Sequence, residues 1–155
     1  MKTFRSFLIE VDISVEAIKS MPPLTQTKVS NLETHYTKPL TDRHSLVVMF
    51  NPPKYDSGNA TEVNWKFHGS EHFPPEKYTS SMHRDIITSV AKAIHQHIEA
   101  NPNIKTITGF AMTPGHDRSY AKALSSYAAA HGGKYFTSKT PFSSVFGTHQ
   151  HTLRL

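Results

Sequence analysis

The chain has 155 residues, a formal net charge of +5, eleven histidines, ten prolines and no cysteine. That length suits a single domain, and a chain of this size buries about 68–70% of its extended surface. The lack of cysteine excludes a disulfide scaffold, a Cys-ligated zinc ribbon and thiol catalysis.

The longest apolar run, Leu46–Phe50, falls far short of the roughly 18 residues of a membrane helix. The opening Met1–Arg5 has no signal-peptide core, so the expectation is a soluble, non-exported protein with no membrane contact. Lys and Arg are scattered, with no run of four. A mildly basic solvated surface explains them more simply than a nucleic-acid stripe, which concentrates its cations on one face. The histidines make the charge sensitive to mild acid without making the chain a sensor.

Thr3–Val15 alternates, with Phe7, Ile9, Val11, Ile13 and Val15 on one parity, and reads as a half-buried strand. Met21–His44 carries Pro22, Pro23 and Pro39 among many threonines. It reads as a long irregular connection of the kind that often holds function. Ser45–Phe50 and Thr61–His68 read as an antiparallel hairpin around the turn cluster Asp56–Asn59.

Pro74-Pro75 breaks the chain. A helix then starts at Thr79, Ser80 or Ser81, all good N-cap residues. Ile87, Val90, Ala91, Ile94 and Ile98 recur at helical spacing to Ala100, and Asn101-Pro102 ends the helix. Ile104–Met112 is an interior strand stopped by Pro114-Gly115. A second helix starts near Asp117 or Ser119 with Tyr120, Ala123, Leu124 and Tyr127 on one stripe, and Gly132-Gly133 terminates it. Lys134–Phe136 and Gln150–Leu155 are the last strands. This order predicts an α+β fold: one domain over 1–155, a mixed β-sheet and two main helices.

The spacing Tyr120-x-x-Ala123-x-x-x-Tyr127, followed by Gly132-Gly133-Lys134-Tyr135-Phe136, resembles the last conserved segment of GNAT-type N-acetyltransferases. The stretch also resembles small phage-encoded proteins with an acetyltransferase-like core. The features shared with that group are Trp65-Lys66-Phe67, Thr79, Asn101-Pro102 and Arg118-Ser119-Tyr120. The resemblance covers about 61–136 and implies an acetyltransferase-like sheet. By it, Tyr127 takes the general-acid position and acetyl-CoA is the implied cofactor. One departure counts against the enzyme. The family's pyrophosphate loop is glycine-containing, whereas Glu76–Met82 has no glycine. The plainer reading of Tyr127 is a core tyrosine on an apolar stripe.

Three further constellations bear on function. His116-Asp117-Arg118 lies where an interior strand ends and a helix opens, a favoured ligand position. His116 and Arg118 could grip an anion or acidic partner there, while an N-capping Asp117 is the plainer reading. His149 and His151 share one side of a strand and supply two metal ligands with no adjacent third. His95 and His97, at i and i+2, do not share a helix face. The reading that results is a non-catalytic binding or structural accessory protein of phage type. It docks onto a larger protein assembly through Met21–His44 and Thr137–Gly147, in a host cytoplasm or virion. The alternatives are a CoA-dependent acyltransferase with an atypical phosphate loop and a weak nucleic-acid binder.

Overall fold

The computed structural model describes residues 15–52, 59–69, 80–111, 114–139 and 149–155. Helix α1 (Val15–Ser20) precedes four strands, β1 (Thr25–Lys28), β2 (Thr34–Pro39), β3 (His44–Asn51) and β4 (Ala60–Gly69). Helix α2 (Ser80–Ala100), β5 (Thr106–Ala111), α3 (Pro114–His131), β6 (Lys134–Lys139) and β7 (His149–Arg154) follow. The seven strands form one mixed sheet in the order β1-β2-β3-β4-β5-β7-β6. The fold is therefore α+β. Among the described residues no helix is long and apolar enough to cross a membrane.

Neighbouring strands run antiparallel except β4 and β5. A parallel pair needs a crossover, and α2 supplies it. The β4–β5 register is short, Ala60–Val63 against Thr106–Gly109, while β4 runs on to Gly69. The antiparallel β3–β4 pairing expected from the sequence is present, from His44↔Gly69 to Asn51↔Glu62.

Opposed residues in a sheet share a face. Phe50, Val63 and Gly109 stand in one row across β3, β4 and β5. His97 of α2 stacks on Phe50, and the Tyr120 ring of α3 lies against Gly109. Both long helices thus cover the same face. The core between them and the sheet includes Tyr36, Leu46, Val48, Trp65, Ile87, Ile94, Ile107 and Leu124.

Three expectations need correction. The segment 21–44 is not an irregular connection. It holds β1 and β2, which extend the sheet beyond β3. Its scarcity of aliphatic residues hid two anchors: Tyr36 is fully buried, and Leu24 is buried under α2. Its threonines are good strand formers, because a β-branched side chain fits a pleated surface. Gln96 holds the segment's start through its side-chain amide. Its Oε1 accepts from Leu24 N at 2.9 Å, and its Nε2 donates to Leu24 O at 3.2 Å. Second, Val15 opens a helix and does not close a strand; the rest of the alternating stretch lies outside the described residues. Third, α3 begins at Pro114, three residues before Asp117, since proline suits the first helical position. The strand β7 also sits between β5 and β6, so α3 carries the chain past one strand position.

The α3 terminus follows the glycine rule. Gly132 has φ 72°, and Gly133 N donates to Ala128 O at 3.0 Å. A Cβ on Gly133 would meet Arg154 O at 2.6 Å, so the turn packs directly on the β7 backbone.

Two predictions follow from the core. Ile94 is fully buried on α2. Ile94→Asp places an unpaired carboxylate there, a loss that exceeds the margin of a small domain. The variant is expected to lack a cooperative melt, and a soluble cooperative variant would refute the helix face. The second prediction concerns His97, whose Nδ1 accepts from Tyr36 OH at 3.1 Å. Burial lowers the His97 pKa to about 4 from its ordinary 6.5. The unfolded chain therefore binds this proton more readily than the folded one. His97 stabilises the fold above pH 6.5, and that contribution is lost as pH falls from 6.5 towards 4. Its full size is on the order of 3 kcal/mol. In denaturant titrations, His97→Gln should flatten the loss of stability across that window; an unchanged slope would assign it to other groups.

Candidate functional site

The first turn of α3, β6 and β7 meet at a buried imidazole. His151 lies on the inward parity of β7, opposite Gly109 on β5 and Thr137 on β6. It is only 2% exposed. Its Nε2 donates to Asp117 Oδ1 at 2.6 Å, and its Nδ1 accepts from Tyr135 OH at 2.8 Å. With Tyr135 donating, the neutral ring carries its proton on Nε2. Burial, and then the Asp117 charge, push the Tyr135 phenol well above its ordinary pKa of 10. The phenol therefore stays protonated and remains the donor.

The row Asp117–His151–Tyr135 links a helix to two strands. Both imidazole nitrogens are engaged within the protein, so the row braces α3 against β6 and β7. A metal on His151 would have to displace one of these bonds. Among the described residues no three His, Asp or Glu side chains converge on a metal position. The side chain of His149 lies outside the described residues.

Tyr120 completes the site. Its ring tilts beside His151 at 5.9 Å between centroids. Its hydroxyl donates at 3.3 Å to Val63 O and at 3.2 Å to Asn64 Oδ1, where the β4–β5 register ends. Gly109 makes room for the ring, since a Cβ there would stand 3.0 Å from Tyr120 Cδ1. Burial raises the Tyr120 pKa above the ordinary range, against a smaller lowering by a hydrogen bond with the Trp65 backbone.

The sequence-derived candidates separate in space. Asp117 lies inside α3 rather than at its cap, and its carboxylate reaches β7. Arg118 is half-buried. The His116 side chain lies outside the described residues, as do Glu76–Thr79 and the side chains of Ser80–Met82 at the expected phosphate position. Tyr127 is 2% exposed and stacks on His131 at 4.1 Å. His95 of α2 stands 6.2 Å from the Tyr127 ring and 5.7 Å from His131. Burial, and then the Glu99 charge, push Tyr127 up to about 12. Burial lowers the His131 pKa, helped by the charges of His95 and Lys19. Tyr127 therefore belongs to the α2–α3 contact and does not join His151.

Sequence reasoning missed Tyr135 and the partnership of Asp117 with His151. The available signal was the inward parity of His151, which requires a polar partner from whatever packs above it. Comparison of the chain with protein-family models, curated proteins and solved structures found no match.

The brace makes a stability prediction. Asp117→Ala leaves the buried His151 Nε2–H without this acceptor, and should cost about 1–3 kcal/mol in urea unfolding. Tyr135→Phe should cost about 1 kcal/mol. The double variant should lose a different amount from the sum, because both bonds share one ring. Strict additivity would show that the two residues do not act through His151.

Proposed function

We propose that this protein is a non-catalytic binding or structural accessory protein of phage type, built on an acetyltransferase-like core and docking onto a larger protein assembly. The observation that carries the reading is the placement of Tyr127. The resemblance gives that residue the general-acid position, which requires contact with a leaving group. Here the ring is buried against His131, and its pKa is raised to about 12. Such a phenol is a poor proton donor near neutral pH.

The sheet supports the core assignment. A parallel β4–β5 pair joined by α2, with β7 inserted between β5 and β6, suits the implied acetyltransferase-like arrangement. The docking element favoured by the geometry is the β1–β2 hairpin. Its tip exposes Val29 by 54% and Leu32 by 70%. The tip is also ordered from within: Ser30 Oγ accepts from Leu32 N and Glu33 N, and Glu33 O accepts from Val29 N. Apolar side chains held outward on a fixed turn suit insertion into a partner.

Thermal shift with acetyl-CoA separates this reading from the acyltransferase. No rise in melting temperature is expected at millimolar cofactor, and a concentration-dependent rise would favour the enzyme. In co-elution with the native assembly, Val29→Asp/Leu32→Asp should keep its melting temperature and lose association. Retained association would remove the hairpin from the proposal.

A further inference from the structure

The sheet face opposite α2 and α3 carries two exposed phenylalanines, Phe110 at 43% and Phe136 at 40%. Their positions follow from the register. Across β5, β7 and β6, Phe110 opposes Gln150. The next row is Thr108–Thr152–Phe136, and the row after it Thr106–Arg154–Lys134. All of these alternate with Gly109, His151 and Tyr135, which face α3. The two rings are two strands and one row apart, about 12 Å by ordinary sheet spacings. Threonines and Gln150 separate them, so they are single rings on a polar field rather than one apolar patch.

The same register gathers cations that are dispersed in the sequence. Arg154 lies over the Phe136 ring, its guanidinium carbon 5.0 Å from the centroid. Lys134 opposes Arg154. On β4, Lys66 is exposed on this face beside His68. The charged side chains of this face on the described strands are Lys66, Lys134 and Arg154 against Glu62.

A sheet face with exposed aromatic rings and nearby cations matches single-stranded nucleic acid. Unpaired bases stack on aromatic faces, and the phosphates need nearby positive charge. A duplex keeps its bases inside and offers nothing to the two rings. An acidic peptide would use the cations and leave both phenylalanines in water. We propose that this face binds single-stranded nucleic acid, with Phe110 and Phe136 stacking bases and Arg154, Lys134 and Lys66 meeting phosphates. The proposal is independent of the docking hairpin and of any cofactor.

The test is fluorescence anisotropy of the full chain with a labelled oligo(dT) about ten nucleotides long. Binding is expected at about 50 mM salt, weakening steeply by about 200 mM. Phe110→Ala/Phe136→Ala should weaken it at least about tenfold with the melting temperature nearly unchanged. Lys66→Gln/Lys134→Gln should lower the magnitude of the salt slope by about 1.4, since each phosphate contact on a single strand contributes about 0.7. Three results would overturn the proposal. One is no binding at low salt. Another is equal binding by the phenylalanine variant. The third is equal affinity for a duplex, or displacement of the oligonucleotide by poly-glutamate as readily as by unlabelled oligo(dT), either of which would mean that charge alone is read.

Discussion

Helix α2 is buried on almost its whole circumference, and the rest of the structure is arranged around that constraint. Ile86, Ile87, Val90, Ala91, Ala93 and Ile94 are buried, but so are Ser89, Lys92, His95 and His97. A helix with one apolar stripe can leave its other side to water; this one cannot. Ser89 Oγ is satisfied inside the helix, by Asp85 O, and His95 Nε2 pairs with Glu99 one turn on, but other polar groups of α2 take partners from other elements. Lys92 Nζ donates to Lys19 O at 3.2 Å, which fixes α1. Gln96 takes both backbone groups of Leu24, which fixes the entry to β1. His97 accepts from Tyr36, which fixes β2. The N-terminal additions to the sheet are tied to its centre through polar side chains of one helix.

The second half is organised by the same logic from a different residue. His151 cannot be buried on β7 unless both ring nitrogens are satisfied. Asp117 from α3 and Tyr135 from β6 supply the two partners. The Tyr120 ring on Gly109 then sets how closely α3 approaches β5. Two buried histidines, His97 and His151, thus brace opposite ends of the sheet to the helices above. His97 uses its Nδ1 on Tyr36, and His151 uses both ring nitrogens, on Asp117 and Tyr135.

Much of this architecture is legible in the sequence where hydrophobic periodicity is strong. The spacing of Ile87, Val90, Ala91, Ile94 and Ile98 places α2, and Gly132-Gly133 ends α3 where the positive φ requires it. The β1–β2 hairpin is not legible, because its burial rests on Tyr36 and Leu24 amid threonines and prolines, with no alternating aliphatic pattern. His95 and His97 point to different neighbours, as their i, i+2 spacing requires, but the neighbours themselves come from distant strands. The Asp117–His151–Tyr135 row draws on three elements separated by up to 34 positions, and no local pattern encodes it.

The division between the two sheet faces bears most directly on function. On the helix side three described groups are turned inward: Tyr127 against His131, Tyr120 against Gly109, and His151 between Asp117 and Tyr135. Those contacts lower the free energy of the fold by removing the same groups from solvent. On the other face, alternation along the strands leaves Phe110, Phe136, Lys66 and Lys134 outward without disturbing that core, because the side-chain period of a strand is two. The outer residues can therefore change with little effect on stability, whereas the inner ones cannot. A surface free of structural duty can be shaped by what it binds. The outer sheet face and the β1–β2 tip, which expose Phe110, Phe136, Val29 and Leu32, are the surfaces through which we propose that this chain meets other molecules.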